Sequence, residues 1–558
     1  MARRRRARCG CMRPPCLKEL KYYQDAVLLL CCLDLGPAKP ILERCYSESP
    51  RGSTRYDPLA MFRLILLGAA IGVMGINALV RRVRHSRVLA VLAGFPMDVN
   101  GEVRTPAVAT VYDLLHRLHD GPIRRVRGVA RPSVTEYERT QTPLRPEVRH
   151  GKESADSTDS PDGEANGPGT GSNKKKTSKS KGKASSRKSY RNRARGAGQV
   201  TEALRLALVK QDRNELPDNL CTRLMEILDA VAIRPSAEAG LLGDVHALLL
   251  AGDGSPLPTN ADGHGKKVES CPHSRWERCD CPRTWADPDA ARGWDHYRET
   301  YYFGYNFYEC CSVGGPKELP VFIGLDPANT NDQLASMKGL SMLTRYFRRA
   351  PGGFEIGTFI GDCGHDGEPL HRYVYHDLDI KPVIPISGEV PAVHPIRKDV
   401  HLDRATAVPL CEAGCTMAAW GTAGEGRTSF ICPVKAGKIK SCPLARPEQP
   451  DWVCRPEQKY GPTVVMNVDD NPRLFPVIAR NSKKFEDLYK KRPACERSNA
   501  FKKETGHIED CGHRRWSFWL FRLYNLAIIQ HAQAWVARMN AEQNLLKLLE
   551  LDEVVAKA

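Results

Sequence analysis

The sequence has no apolar run long enough to cross a bilayer. Its longest such run, Leu64 to Ile76, has 13 residues with Arg63, Arg81 and Arg82 nearby, whereas a membrane-spanning helix needs about 20. We expect a buried helix there. We expect no cleavable secretory leader, and the twenty cysteines then fit a reducing compartment, where thiols stay free or bind metal. We therefore expect a cytoplasmic protein without structural disulfides.

Acidic residues are missing from two strongly basic runs. Five arginines lie within Arg3 to Arg8, and eleven Lys and Arg residues lie between Lys174 and Arg195 without an acid among them. The net charge of the whole chain is +18. Such runs suit the phosphate backbone of nucleic acid, although solvated basic tails are the alternative. We also find no glycine loop that would bind phosphate, so we expect no ATP or organic cofactor.

The chain of 558 residues is long enough for two to four domains. Residues 151 to 198 contain almost no large apolar side chain and cannot bury enough surface to offset the entropy of ordering. The predicted division is a basic tail (1–16), a helical N-terminal domain (17–135), a disordered charged linker (136–198), the first part of an α/β core (199–387), a cysteine-containing insertion (388–482), the closing part of the core (483–540) and a helical tail (541–558).

Helical periodicity dominates the N-terminal domain, where Thr105 and Pro106 read as the cap and first residue of one helix. After residue 242 the order is strand, strand, strand, helix, strand, helix, strand. This order is typical of a ribonuclease H-like mixed sheet with helices on its faces, so the predicted class is α/β. The predicted strands are Val245–Asp253, Tyr305–Val313, Leu319–Asp326, Phe354–Asp362 and Lys381–Ser387.

Two aspartates stand at the ends of the first and fourth predicted strands, Asp253 in "LLLAGDGSPLPT" and Asp362 in "TFIGDCGHDGE". These strands are neighbours in such a sheet, so both carboxylates can project from one edge, where open α/β sheets commonly bind ligands. Carboxylates that converge on a phosphodiester can hold two Mg²⁺ ions, or Mn²⁺. The alternative at either position is an ordinary turn or cap residue.

A single glutamate, Glu496, stands in the basic stretch "YKKRPACERSNAFKK". At about 100° per residue, Tyr489, Arg492, Glu496 and Lys503 share one face of a continuous helix. A carboxylate for metal flanked by cations for phosphate suits a phosphate-cutting site. The alternative is an exposed helix with an ordinary Arg–Glu pair. Pro493 follows Arg492 directly, so the helix either begins or kinks there.

The spacing of Tyr489, Arg492, Glu496 and Lys503 resembles the Y-R-E-K signature of bacterial DDE transposases of the insertion-sequence-four type. Four further blocks resemble the same family in the same order: "YDPLAMFRLILLG", "GDGSPLPT", "GDCGHDGEPLHRYVYHDLDIKPVIPI" and "LYNLAIIQHAQAW". The resemblance covers most of residues 50 to 125 and 245 to 540.

The resemblance implies that Asp253, Asp362 and Glu496 form the metal triad and that Tyr489, Arg492 and Lys503 position the ends of a transposable element. It implies metal-dependent cleavage at terminal inverted repeats, strand transfer into target DNA, a homodimer that bridges two ends, and a bacterial nucleoid-associated location. A non-catalytic DNA-binding descendant and a hydrolytic nuclease are the alternatives. Rivals for the two aspartates are Asp366, Asp326 and Asp332.

Cysteines form two clusters apart from the carboxylates. Cys271, His273, Cys279 and Cys281 lie in one short stretch and could surround tetrahedral zinc, although the spacing is not a standard finger pattern. A metal could also help a small irregular insertion to fold. Free cysteines are the alternative for both clusters. The cysteines of the insertion are Cys411, Cys415, Cys432, Cys442 and Cys454.

Overall fold

A computed structural model describes most of the chain. The described residues are 19–46, 56–96, 102–120, 137–139, 198–211, 215–274, 277, 279, 281, 283–350, 352–449, 452–510 and 512–542. The basic runs, the C-terminal tail and nearly all of the predicted linker lie outside these residues. Within the linker range, Tyr137–Arg139 form strand β1.

Short helices fill the N-terminal part. The buried helix predicted over Leu64–Ile76 forms only as far as Ala70, and Ile76 begins the next helix. The side chain of Asp57 caps the buried helix by accepting from the Leu59 amide, and Pro58 occupies its first position. The helix predicted to start at Pro106 begins at Val108 instead. The helices are α1 Gln24–Cys31, α2 Lys39–Glu43, α3 Pro58–Ala70, α4 Ile76–Arg84, α5 Arg87–Leu92, α6 Val108–Asp120, α7 Leu220–Leu228 and α8 Arg234–Glu238, and residues 198–210 are also helical.

A six-stranded mixed sheet forms the centre of the second half. Its order is β5-β6-β2-β8-β9, and β7 pairs with β6. Strand β2 runs antiparallel to β6 and parallel to β8, β8 is parallel to β9, and β6 is antiparallel to both β5 and β7. The strands are β2 Leu248–Pro258, β5 Ala291–Asp295, β6 Thr300–Ser312, β7 Leu319–Pro327, β8 Ile356–Ile360 and β9 Lys381–Val383.

The five predicted strands are present, and the first and fourth are neighbours as expected. One position is wrong: Asp253 does not end its strand but lies in the middle of β2, because β2 continues to Pro258 in its pairing with β6. The parallel pairing with β8 does end before it, at Ala251 and Ile360. Asp253 therefore still lies at the edge where the parallel strands stop.

Helices cover the sheet and connect it to the N-terminal part. Helix α13 packs on β7 and on α3, and the rings of Phe62 and Phe521 meet at 6.2 Å. The N-terminal helices and the sheet consequently share one continuous hydrophobic core. The helices are α9 Asp332–Arg349, α10 Glu368–Arg372, α11 Lys483–Tyr489, α12 Pro493–Ala500 and α13 Trp516–Glu542.

The insertion has more internal structure than the sequence suggested. It contains a three-stranded antiparallel sheet in the order β10-β11-β12, formed by Ala418–Thr422, Arg427–Ile431 and Thr463–Asn467. A separate small core surrounds it, and the rings of His394 and Phe475 stack at 4.5 Å.

Two expectations concern the whole chain. Every cysteine within the described residues is free. No helix in that part of the chain combines the length and the apolar character needed to cross a membrane.

Candidate functional site

The two aspartates lie at one edge of the sheet. Asp253 is on β2 just beyond its parallel pairing with β8, and Asp362 follows the end of β8 by two residues. Asp362 also accepts from the amide of Gly364 at 2.9 Å and so caps the turn Cys363–His365. The alternative role of Asp362 as a cap residue is therefore present in the structure.

Arg492 joins these aspartates to Glu496. Its Nη2 lies 3.5 Å from Oδ1 of Asp253 and 3.5 Å from Oδ2 of Asp362, and its Nη1 pairs with Glu496. One guanidinium thus contacts three carboxylates that come from different parts of the chain. Since Arg492 is about one-fifth exposed, this cluster is partly screened from solvent.

The single helix face predicted for the Y-R-E-K residues does not form. Tyr489 ends α11, and Pro493 begins α12 because a proline without an amide hydrogen is favoured at a first helical position. Glu496 lies on α12, and Arg492 is its cap residue. The charges of the cluster act on Tyr489: burial raises the pKa of its hydroxyl, the charge of Arg492 opposes this rise, and the charges of Asp362 and Glu496 add to it.

Lys503 forms its ion pair with Glu509, outside the three carboxylates. The helix widens to a π-turn over Phe501–Thr505, which shifts the direction of later side chains relative to an α-helix. The Nζ of Lys503 lies 3.3 Å from Oε1 of Glu509, and Glu509 also accepts from Arg298 at 2.8 Å. The prediction that Lys503 shares the face of Glu496 is therefore wrong.

Asp253 is held in an environment that disfavours its charge. Burial raises the pKa of its carboxyl to about 7, the guanidinium of Arg492 opposes the rise, and the carboxylates of Asp332 and Asp362 add to it. An acid with a raised pKa surrounded by further carboxylates is typical of a site that binds a cation or performs proton chemistry.

Asp332, a weaker rival in the sequence, belongs to this cluster. It is the first residue of α9, and burial raises the pKa of its carboxyl. Its carboxylate packs so closely on the backbone of Gly254 that a Cβ there would lie 2.2 Å from Oδ1. The sequence signal that could have identified Asp332 is its position at the start of α9, shortly after the end of β7.

His365 links Asp362 to Tyr308 through contacts of its two ring nitrogens. Nδ1 of the buried His365 lies 2.7 Å from Oδ1 of Asp362, and its Nε2 lies 2.9 Å from the hydroxyl of Tyr308. Burial alone would raise the pKa of Asp362, but this contact with His365 and the charge of Arg492 give a net lowering. Asp362 therefore ionises more readily than Asp253.

The other two rivals have different partners. Asp366 accepts two hydrogen bonds from Arg473, at 2.9 and 2.7 Å, and one from the amide of Ser387 at 2.7 Å. Burial opposes ionisation of Asp366, but these partners lower its pKa overall. Asp326 pairs with Lys338 at 2.5 Å. Neither contacts the carboxylate cluster through these bonds.

A buried polar network fixes α12 against the sheet. Glu309 lies opposite Asp253 on β6 and pairs with Lys502, both side chains being fully buried. The hydroxyl of Ser498 on α12 donates to the same carboxylate, and Nζ of Lys502 donates to Oε1 of Gln530 on α13 at 3.2 Å. This network positions the helix from which Glu496 extends.

The donor set of the cluster fits Mg²⁺ or Mn²⁺. All donors are carboxylate oxygens, which these ions prefer, and a cationic group already lies between them. Within the described residues, however, the one group of His, Cys, Asp and Glu whose ligand atoms all lie within 4.8 Å of each other is elsewhere, at Cys271, His273, Cys279 and Cys281. That group could hold a metal ion such as zinc.

Comparison of the chain with protein-family models, with curated proteins and with solved structures finds no match.

Proposed function

We propose that the protein is a DDE transposase that cleaves DNA at the ends of an insertion sequence and transfers the ends into target DNA. The observation that supports this most strongly is the contact of Arg492 with Asp253, Asp362 and Glu496. These are the three acids that the Y-R-E-K resemblance assigns to the metal site. Asp253 and Asp362 come from distant segments and share this guanidinium at one sheet edge, whereas Glu496 pairs with it from four residues further along the chain.

The strand arrangement adds independent support for a ribonuclease H-like core. Three antiparallel strands, β7, β6 and β2, are followed by the parallel strands β8 and β9. This agrees with the strand order from which the sequence suggested that fold. The cluster lies at the edge where the parallel pairing ends, which is where ligands commonly bind in open sheets.

The carboxylates of Asp253, Asp362 and Glu496 would hold two divalent ions, with Asp332 close enough to contribute charge. Bound Mg²⁺ supplies an activated water or hydroxyl and stabilises the leaving oxygen. Arg492 and Tyr489 orient the DNA backbone, and His365 holds the Asp362 carboxylate in place. Positioning and charge stabilisation account for most of such catalysis, because phosphoryl transfer needs little covalent chemistry from the protein.

The partner would be DNA, both the terminal inverted repeats and the target, bound by a homodimer at the bacterial nucleoid. The net charge of +18 supports a polyanionic partner.

A strand-transfer assay tests the proposal. Purified protein is incubated with Mg²⁺, target plasmid and labelled duplexes that carry the inverted repeats flanking the gene. Joined products are expected. Cut but unjoined DNA would indicate a hydrolytic nuclease instead, and DNA that is shifted but intact would indicate a binding protein without catalysis.

A further inference from the structure

The chain between β2 and β5, residues 259–290, has little regular structure of its own. Its described part contains only β3, Lys266–Lys267, and β4, Arg283–Trp285. Its described buried apolar side chains are few, among them Trp285 and Ala290. A loop of this length with so small a core is uncommon unless a crosslink or a metal helps it to fold.

The Cys/His group in this loop has the dimensions of a tetrahedral site. The Sγ atoms of Cys271 and Cys279 are 3.7 Å apart, and Nδ1 of His273 lies 3.7 Å from Sγ of Cys271 and 3.4 Å from Sγ of Cys281. Ligands at about 2.3 Å (sulfur) and about 2.1 Å (nitrogen) from a tetrahedral zinc would be about 3.8 Å apart for two sulfurs and about 3.6 Å for sulfur and nitrogen.

These distances disfavour a disulfide as the crosslink. Bonded sulfurs lie about 2.05 Å apart, much closer than Cys271 and Cys279, and all three cysteines are free. The group is also only partly exposed. Nη2 of Arg283 donates to Sγ of Cys279 at 3.7 Å, so a positive charge faces the excess negative charge that three thiolates would bring to a divalent ion.

We propose that Cys271, His273, Cys279 and Cys281 bind one structural zinc ion. Three soft thiolates and an imidazole select zinc over Mg²⁺, and four protein ligands leave no open position for catalysis. This proposal does not depend on the proposed transposase activity.

The zinc would order the loop against the strand that carries Asp253. Thr259, directly after β2, donates to Asp287 at 3.0 Å, and Tyr305 of β6 donates to the same buried carboxylate. On the other side, Arg292 of β5 donates to the carbonyl of Gly263 at 3.1 Å. The loop is therefore attached to the sheet at its ends, and the metal would crosslink its central part.

Peptide-level alkylation of the full-length protein tests the site without mutation. The native protein is treated with N-ethylmaleimide before and after removal of metal by a chelator, and each cysteine is read by mass spectrometry, with the exposed Cys31 as internal control. We expect Cys271, Cys279 and Cys281 to label roughly tenfold faster after chelation, because zinc occupies the thiolates, and ZnCl₂ to restore protection. Labelling that a chelator leaves unchanged, or that only a reductant permits, would overturn the proposal.

Metal analysis of variants gives a second test. Cys281→Ser and His273→Asn should each contain about one zinc ion fewer per chain than the matched control Cys31→Ser. The comparison between variants removes any zinc held by cysteines of the insertion. Equal zinc content in all three proteins would refute the site. If Cys281→Ser does not fold, the alkylation of the parent chain still decides.

Discussion

Single side chains decide the chemistry at the sheet edge. Replacing Asp253 or Asp362 by Asn keeps the shape but removes the charge that, in the proposed function, would hold a divalent ion. We expect strand transfer to fall on the order of 100-fold or more in either variant, with DNA binding retained. The measurement is the initial rate of joined-product formation, together with a gel-shift titration.

The matched control for these substitutions is Asp326→Asn. Asp326 is also an aspartate at the end of a strand, but it pairs with Lys338 instead of Arg492. Its strand-transfer rate should stay within about threefold of the parent rate. An equal loss in this control would show that the assay reports on general damage, and the assignment of Asp253 and Asp362 would fail.

Because Arg492 contacts the carboxylates of the proposed metal site, we expect its guanidinium to compete with a metal ion for them. In Arg492→Ala the three carboxylates lose their shared cation, so added Mn²⁺ should raise the melting temperature more than it does in the parent. The measurement is a thermal shift at increasing MnCl₂. Arg497→Ala is the control, because Arg497 is on the same helix but pairs with Glu318 at 2.6 Å. A Mn²⁺ shift no larger than that of the control would contradict the competition.

Sequence reasoning reached part of the site at this scale. It selected Asp253 and Asp362, which both contact Arg492, and Glu496, which pairs with Arg492 from four residues further along the chain, because strand positions and residue spacing are local properties. It did not identify His365, and it ranked Asp332 low. Their contacts arise from the packing of a turn and a helix start against β2 and β6, which no local pattern encodes.

At the scale of elements, two adjacent lysines in the π-turn differ in burial and therefore in their expected contribution to stability. Lys502 is fully buried against Glu309, whereas Lys503 is about one-quarter exposed beside Glu509. Lys502→Met leaves a buried carboxylate without its partner, so it should lower the free energy of unfolding by about 3–5 kcal/mol. Lys503→Met should lower it by less than about 1 kcal/mol. Urea denaturation measures both, and equal losses would contradict the assigned burial.

Helix α13 carries a buried histidine that links stability to pH. His531 contacts the hydroxyl of Ser236 at 2.7 Å and the carbonyl of Pro320 at 2.9 Å, and burial lowers its pKa to about 4. Below about pH 6.5 His531 binds a proton in the unfolded chain, whereas in the folded protein its imidazole stays neutral until about pH 4. This group therefore removes stability as pH falls through that window, by about 3 kcal/mol at most.

The variant His531→Gln cannot take up this proton and should show a shallower loss of stability between pH 6.5 and 4. Urea midpoints at several pH values give the comparison, and the exposed His264 provides the control His264→Gln. Parallel pH profiles for His531→Gln and the parent would contradict the role of His531.

Element boundaries show where the sequence is insufficient. The period of apolar residues located α9 and five strands of the central sheet but missed β5 and the strands of the insertion. The assumption of one helix from Tyr489 to Lys503 was wrong because Pro493 and a π-turn interrupt it. The proline was visible in the sequence. The π-turn was not, because it accompanies the burial of Lys502 against Glu309, a contact between distant segments.

At the scale of the whole molecule, one continuous core joins the N-terminal helices to the sheet, and a separate cluster that includes Ala251, Ile360 and Cys495 packs the segments around residues 253, 362 and 496 together. The central claim is that these segments form a shared site for divalent ions. Anomalous diffraction from crystals soaked in MnCl₂ tests it most directly. We predict a Mn²⁺ peak bonded to the carboxylates of Asp253 and Asp362, with Arg492 displaced. Ordered crystals with no anomalous peak at these carboxylates would contradict the account.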